Sequence, residues 1–197
     1  MVDLFSDKKI KLCCDWDRCT CDCSNLNEIR SLARKGEIGW DVFESHLNEL
    51  RIYDGLLPSL IRAHNSDIFD IILMSELPDK ILKKSAEYLK VPFNGIYGYY
   101  SFWKKKQHFP RPNPYIFENV IFPKFGYDKS LYVMFGNNHV DVECAKACGI
   151  TSVGVTWDWK NGDNINENNC DFIIDKTEQF FEVMKYMYYN RYGKKVA

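Results

Sequence analysis

The sequence predicts an α/β protein in which a parallel sheet lies between two layers of helices. Short apolar stretches alternate along the chain with longer amphipathic ones, and this alternation is typical of strands connected by helices. One apolar stretch, residues 70–74 (DIILM), has the composition of a strand that is buried on both faces. Polar residues follow three of the predicted strands, and ligands bind at those strand ends in parallel sheets.

The first predicted elements are a strand and a group of helices. Residues 9–14 form the strand, which ends at two carboxylates, Asp15 and Asp17. Residues 26–50 have the periodicity of amphipathic helices in two stretches, which two glycines separate. Pro58 then opens a further helix at its first turn.

The rest of the chain continues the alternation of strands and helices. Later strands are predicted at residues 70–74, 131–135, 152–155 and 172–174, with a short strand or turn at 94–100. Later helices are predicted at residues 80–89, 114–122, 140–148 and 177–188, and a polar, Asn-rich loop covers 162–169. Because neighbouring parallel strands end at one edge of a sheet, Asp15, Ser75 and Asn137 are predicted to face one crevice.

Composition limits the classes of protein that fit. The chain has 197 residues, of which 46% are hydrophobic and 27% charged, which suits one soluble globular domain with or without a small insertion. A net charge of -1 gives no basic field to attract nucleic acid or a membrane surface. The first residues do not form a secretory signal, and no stretch approaches the roughly 18 apolar residues of a membrane span. We therefore predict a cytoplasmic protein with reduced thiols.

Five of the eight cysteines lie between residues 13 and 23. A thiolate metal site is one interpretation of Cys19, Cys21 and Cys23, but their alternate spacing differs from the C-x2-C pairs of common zinc sites. The other interpretation is that these cysteines are small apolar residues of a strand and a loop.

The pair of carboxylates at the end of the first strand favours phosphoryl transfer. In the loop after a strand, Asp15 and Asp17 can converge on a shared cation. One carboxylate can attack phosphorus, while the other protonates the leaving oxygen and then activates water. Mg2+ would offset the negative charge of the carboxylates and the phosphate. Turn formation and helix capping are the competing explanations for these aspartates.

The order of motifs resembles the haloacid dehalogenase superfamily, and especially its phosphoglycolate-phosphatase-like members. Four segments support the resemblance: 15–23 (DWDRCTCDC), 71–75 (IILMS), 111–117 (RPNPYIF) and 136–141 (GNNHVD). Two later segments, 153–157 (VGVTW) and 170–175 (CDFIID), are similar to the end of that pattern. The resemblance implies a Rossmann-like three-layer parallel sheet with a small helical cap of the C1 type. The core would comprise residues 1–23 and 54–197, and the cap residues 24–53.

The resemblance also implies roles for particular residues. Asp15 would be the nucleophile and Asp17 the acid and base, while Ser75 and Arg111 would bind the phosphate of a small phosphorylated substrate. The ligands of Mg2+ would be Asp15, Asp17, Asn137 and Asp141.

Three positions depart from the family pattern. Arg18 and Cys19 replace a Gly-Thr pair, so the loop after Asp15 is expected to turn less freely. Arg111 replaces a lysine and keeps its positive charge. Asn137 replaces an aspartate, so Mg2+ binding is expected to weaken, because an amide oxygen carries no charge. A different register would place Phe109 at the basic position, and activity would then be in doubt.

Three functions fit these residues to different degrees. The first is a Mg2+-dependent phosphatase that acts on a small metabolite through an aspartyl phosphate. The second is a catalytically weak or inactive relative that binds a ligand, which the three departures favour. The third is a 2-haloacid dehalogenase, against which Asp17 argues, because those enzymes place an uncharged residue there. The sequence identifies neither the substrate nor the oligomeric state.

Overall fold

The computed structural model describes residues 9–98, 111–158, 165 and 169–193. Eight strands lie in these residues: β1 (Ile10–Asp15), β2 (Cys21–Asp22), β3 (Arg51–Ile52), β4 (Phe69–Ser75), β5 (Gly95–Gly98), β6 (Tyr132–Gly136), β7 (Thr151–Val155) and β8 (Phe172–Ile174). None of the helices in this described part has both the length and the apolar character needed to span a membrane. The cytoplasmic location stays a prediction.

Helices connect the strands. The α-helices among the described residues are α1 (Asn27–Lys35), α2 (Trp40–Ser45), α3 (Leu56–His64), α4 (Asp79–Tyr88), α5 (Phe122–Phe125), α6 (His139–Cys148) and α7 (Glu178–Tyr192). Short 3-10 helices cover Ser24–Leu26, Leu47–Glu49 and Lys129–Leu131, and a π-helical turn covers Phe117–Ile121. The loop predicted at residues 162–169 lies mostly outside the described residues.

Six of the strands form one parallel sheet, in the order β5-β4-β1-β6-β7-β8. The central strand β1 lies between β4 and β6, so that Asp15 is next to Met74 and Cys14 is next to Phe135. The predicted α/β class is therefore confirmed. The polar residues that end these three strands are neighbours at one edge of the sheet, as predicted.

Burial explains the apolar composition of the central strands. Every residue of β1 and β4 is buried, and the core continues into the helices that flank the sheet. Helix α3 packs against β4 and α7, while α6 packs against β6 and β7. At roughly 25 cal/mol per Å2 of buried apolar surface, this core is the main source of stability for the strand ends that form the site.

The segment between β2 and β3 is a small helical insertion. These two strands pair antiparallel, with Cys21 opposite Ile52, and enclose α1 and α2. A second cluster of buried side chains, which includes Leu26 and Phe43, joins this segment to Leu82 of α4. The insertion therefore rests directly on the core. Its description as a separate cap over residues 24–53 stays a prediction.

The clustered cysteines are buried and have free thiols. Burial raises the pKa of the Cys13, Cys14 and Cys19 thiols, so they stay protonated at neutral pH. The thiols of Cys14 and Cys19 approach main-chain carbonyl oxygens, those of Leu12 and Phe135. These contacts favour small apolar residues over metal thiolates.

Candidate active site

A cavity of about 340 Å3 opens at the carboxyl ends of the central strands. All the residues of its wall except Val140 are charged or polar: Asp15, Asp17, Arg18, Asn27, Arg30, Arg34, Ser75, Glu76, Arg111, Asn137 and Asn138. Five of the six predicted site residues are among them. The sixth, Asp141, accepts a hydrogen bond from Arg111.

Arg111 links two buried carboxylates. One guanidinium nitrogen, Nη2, donates to Oδ1 of Asp15 at 2.6 Å, and the other, Nη1, donates to Oδ1 of Asp141. The Arg111 side chain is 10% exposed, so little water competes for these bonds. This geometry favours the register with Arg111 at the basic position. Phe109, the alternative, lies outside the described residues.

Burial sets the charge of the candidate nucleophile. Burial, together with the nearby carboxylates of Asp141 and Asp17, raises the pKa of Asp15 to about 7 against the opposing effect of Arg111. A cation close to Asp15 would favour the ionised form, which is the form that can attack phosphorus.

The loop after β1 makes a tight turn. The main-chain carbonyl of Trp16 accepts from the N–H groups of Thr20 and Cys21. Arg18 takes a left-handed conformation with φ of 60°, which costs a residue with a side chain roughly 1 kcal/mol. The Arg18 guanidinium is held by Asp158, with Nη2 donating to its main-chain oxygen at 3.0 Å. Arg18 thus permits the turn, and the expectation that this loop turns less freely than one with glycine stays a prediction.

The carboxamide of Asn137 lies between two oxygen atoms of the loop. One of its terminal atoms is 3.3 Å from Oδ2 of Asp15 and 3.1 Å from the main-chain oxygen of Asp17. If that atom is nitrogen, the amide donates to both oxygens. If it is oxygen, three oxygen atoms converge and require a cation between them.

This arrangement fits Mg2+. Adjacent oxygen ligands at about 2.0–2.1 Å from an octahedral Mg2+ are roughly 3 Å apart, which matches the separations around Asn137. The set comprises one carboxylate, one main-chain carbonyl and one amide. Within the described ranges there is no group of three or more His, Cys, Asp or Glu side chains that could hold a metal. Weak binding is therefore expected, as the sequence indicated.

Asp141 is fully buried at the start of α6. Its Oδ1 accepts from Arg111, and its Oδ2 accepts from the main-chain N–H of Asn138 at 3.4 Å in a capping box. Both oxygens therefore have partners in this structure. The role of Asp141 as a metal ligand stays a prediction, and its contacts indicate that it positions Arg111.

Gly136 leaves room for Asp141. A Cβ atom on Gly136 would lie 2.2 Å from Cβ of Asp141, which no small shift relieves. Gly136→Ala is therefore expected to lower the free energy of unfolding by about 2–3 kcal/mol, measured by denaturant titration. As a control, Gly193→Ala should cost roughly 1 kcal/mol, because Gly193 has a positive φ but open space around it. Equal losses in the two variants would contradict the packing argument.

Ser75 lies at the end of β4 with its hydroxyl directed toward the next turn. Its Oγ accepts from the main-chain N–H of Leu77 at 3.1 Å, so the O–H can still donate. Capping of the following turn and binding of a phosphate oxygen are thus compatible.

Arg30 was not identified from the sequence. Its Nη1 forms an ion pair with Oδ2 of Asp17, and its Nη2 donates to Oδ1 of Asn27 at 2.7 Å. The other oxygen, Oδ1 of Asp17, is buried with no hydrogen-bond partner among the described residues. Asn27, Arg30 and Arg34 recur at helical spacing, which is the signal that could have identified this face of α1.

Comparison with known proteins gives relatives in sequence and likenesses in fold. No family model matches the chain. Phosphoglycolate phosphatase of Vibrio parahaemolyticus is 27% identical over 165 residues, which are 82% of this chain and 68% of that protein. Phosphoglycolate phosphatase of Vibrio vulnificus is 26% identical over 161 residues, 80% of this chain and 67% of that protein. The chain thus spans about two thirds of these relatives.

Solved structures share the fold. A haloacid dehalogenase-like protein of unknown function from Agrobacterium tumefaciens superposes with a TM-score of 0.66 at 14% identity, covering 91% of this chain and 99% of that chain. A hydrolase of the same superfamily from Bacillus subtilis, bound to magnesium, gives a TM-score of 0.64 at 14% identity, covering 90% and 99%. These likenesses concern the arrangement of strands and helices.

Proposed function

We propose that this chain, which belongs to the haloacid dehalogenase superfamily, is a Mg2+-dependent phosphatase that acts on a small phosphorylated metabolite through an aspartyl phosphate. The observation that best supports this proposal is the position of Asp15. Its carboxylate is buried at the end of the central strand, bonded to Arg111 on one oxygen and close to Asn137 on the other.

The first step of the proposed reaction forms the covalent intermediate. A carboxylate oxygen of Asp15 attacks phosphorus, and the bond from phosphorus to the ester oxygen breaks. Asp17, two residues further along the turn, protonates the departing alcohol. Ser75 and Arg111 bind the equatorial oxygens, where negative charge must be stabilised during transfer.

The second step regenerates Asp15. Asp17, now ionised, takes a proton from a water molecule, whose oxygen attacks the phosphorus of the aspartyl phosphate. Inorganic phosphate leaves, and the Asp15 carboxylate is restored. The residues that would hold Mg2+ are Asp15, Asp17 through its carbonyl, and Asn137, with Asp141 as a further candidate. When bound, the ion would neutralise charge between Asp15 and the phosphate.

Restoring a charged ligand is expected to strengthen the metal site. Asn137→Asp should lower the Mg2+ concentration that gives half-maximal activity by about tenfold, because a carboxylate adds a full charge next to the ion. The measurement is phosphate release as a function of Mg2+ concentration. Asn65→Asp, on an exposed residue after α3, is the matched control and should leave the Mg2+ dependence unchanged. An unchanged dependence in Asn137→Asp would remove Asn137 from the proposed ligand set.

A binding protein with little or no catalysis is the second candidate. Two observations favour it: the Asn137 amide can bridge Asp15 and the Asp17 carbonyl without a metal, and Arg30 already occupies one oxygen of Asp17. A dehalogenase has less support, because Asp17 is charged and is part of the cavity wall.

A panel of phosphorylated metabolites, assayed with and without Mg2+, separates these candidates. The panel should include phosphoglycolate, which the names of the curated relatives suggest. Phosphate release that requires both Mg2+ and Asp15 supports the phosphatase. A protein that stays inert on every ester, and also after Asn137→Asp, would support the binding protein.

A further inference from the structure

We propose that Asp158 is a positioning residue of the proposed metal site, and that it acts through Arg18. Its contacts with Arg18 keep the main-chain carbonyl of Asp17 directed toward Asn137. This inference rests on the proposed Mg2+-dependent function and adds a residue that is not one of the ligands. Asp158 follows Arg18 by 140 residues along the chain and lies shortly after β7.

One peptide group determines the direction of the Asp17 carbonyl. Its N–H, which belongs to Arg18, donates to the main-chain oxygen of Cys21 at 2.8 Å. The C=O and N–H of a planar trans peptide point in opposite directions, so the Asp17 carbonyl is directed away from Cys21. Its oxygen lies 3.1 Å from a terminal atom of Asn137, where the proposed cation would bind.

The backbone conformation of Arg18 and the direction of this carbonyl change together. Arg18 has a φ of 60°. In the common β-turns, a positive φ at the third residue becomes negative when the preceding peptide group turns over, and the carbonyl of that group then points the opposite way. Because a side chain makes a positive φ unfavourable, an unrestrained arginine at this position would relax by that route. The Asp17 carbonyl would then turn away from Asn137.

Two contacts with Asp158 oppose this relaxation. Nε of Arg18 donates to Oδ2 of Asp158 at 3.3 Å, and Nη2 donates to its main-chain oxygen at 3.0 Å. The side chains of Arg18 and Asp158 are 26% and 13% exposed, so the pair is partly shielded from water, which strengthens a charge-assisted bond. The guanidinium group is therefore held in one direction, and the backbone of Arg18 is restrained with it.

The residue before Asp158 restrains the same loop. Nε1 of Trp157 donates to the main-chain oxygen of Cys19 at 3.1 Å, and the Trp157 ring packs against Tyr53 with ring centroids 6.1 Å apart. Two successive residues after β7 thus contact two successive residues of the loop after β1. Strand β6 lies between β1 and β7 in the sheet, so these contacts reach across one strand.

Glycine at position 18 distinguishes the positioning role from a direct contact with substrate, which is the alternative because Arg18 lines the cavity. Arg18→Ala removes the guanidinium group and keeps the cost of a positive φ, whereas Arg18→Gly removes both. The measurement is titration calorimetry with Mg2+ alone. Kd should rise about tenfold in Arg18→Ala, which is the cost of the left-handed conformation, and should stay within twofold of wild type in Arg18→Gly.

The effect of Asp158→Ala should depend on the residue at position 18. In the wild-type background Kd should rise roughly three- to fivefold, because an ion pair in partial contact with water is lost while the bond to the main-chain oxygen remains. In the Arg18→Gly background Asp158→Ala should change Kd less than twofold. Lys90→Ala and Lys90→Gly are the matched controls, since Lys90 has a φ of 55° on an exposed residue outside the cavity wall. Both should bind Mg2+ like wild type.

The outcomes separate this inference from the function on which it rests. Weaker binding in Arg18→Ala that glycine restores, with no further effect of Asp158→Ala in the glycine background, supports the positioning role. Unchanged affinity in Arg18→Ala, equal weakening in Arg18→Ala and Arg18→Gly, or a full effect of Asp158→Ala in the glycine background would overturn it and leave the phosphatase standing. A wild-type protein that binds no Mg2+ at millimolar concentrations and is inert on every ester would overturn both together.

Discussion

Asp15→Asn is expected to abolish turnover. The variant replaces the attacking oxygen with an amide, which is a poor nucleophile and cannot form the aspartyl phosphate. Phosphate release from any substrate of the wild-type enzyme should fall to the background rate. Asp67→Asn, at an exposed aspartate before β4, makes the same chemical change outside the site and should retain full activity. Measurable turnover in Asp15→Asn would rule out Asp15 as the nucleophile.

A stability measurement tests whether the expected loss of turnover in Asp15→Asn comes from unfolding. Burial raises the pKa of Asp15 to about 7, whereas the unfolded chain has a value of about 3.9. The folded state therefore prefers the neutral form, and this stabilisation, present below about pH 4, is lost as the pH rises toward 7. Without the carboxylate, Asp15→Asn should have a higher Tm than wild type at pH 8, and the difference should shrink toward pH 4. A lower Tm at pH 8 would contradict this account.

The sequence was sufficient to predict the sheet because strands that are buried on both faces consist mostly of apolar residues. Both β1 and β4 are buried throughout, and their apolar stretches predicted strands within one or two residues of the observed bounds. Neighbouring parallel strands end at the same edge, so the closeness of Asp15, Ser75 and Asn137 followed from strand order alone.

Contacts between distant segments could not be predicted in the same way. The ion pair between Arg30 and Asp17 depends on how α1 is oriented by the insertion, and no local pattern specifies that orientation. The turn at Arg18 likewise depends on Asp158, which lies 140 residues away and compensates for an unfavourable backbone conformation. The residues around Arg18 do not indicate that Asp158 contacts it, and those around Arg30 do not indicate its contact with Asp17.

Asp141 illustrates a third case, in which the residue was identified and its contacts were not. The motif placed it in the first turn of the helix after β6, but its fully buried carboxylate is bonded to Arg111 and Asn138. Part of the reason is that Arg111 replaces the lysine of the family pattern in segment 111–117. A guanidinium group has two terminal nitrogens and can bond Asp15 and Asp141 at the same time. The arginine at position 111 thus changes the role that the contacts of Asp141 indicate.

Asp17→Asn is expected to slow hydrolysis of alkyl phosphates by roughly 10²–10⁴-fold, the usual range for removing a general acid and base. The asparagine can still accept a hydrogen bond from Arg30, so α1 and the loop should keep their positions. The readout is kcat for phosphate release from an alkyl ester such as phosphoglycolate. Asp41→Asn, at an exposed aspartate of α2, is the matched control and should not change kcat.

A substrate whose leaving group needs no proton distinguishes the two proposed actions of Asp17, which are protonation of the leaving oxygen and activation of water. A nitrophenolate leaves without protonation, so Asp15 should still attack p-nitrophenyl phosphate in Asp17→Asn, while the water step lacks its base. Stopped-flow measurement should therefore show a burst of nitrophenolate equal to the enzyme concentration, followed by slow turnover, as aspartyl phosphate accumulates. A variant that hydrolyses alkyl and aryl esters at wild-type rates would show that Asp17 is not the acid and base. A variant slow on both, with no burst, would show instead that Asp17 is needed before the intermediate forms, through its hold on Arg30 or on the metal.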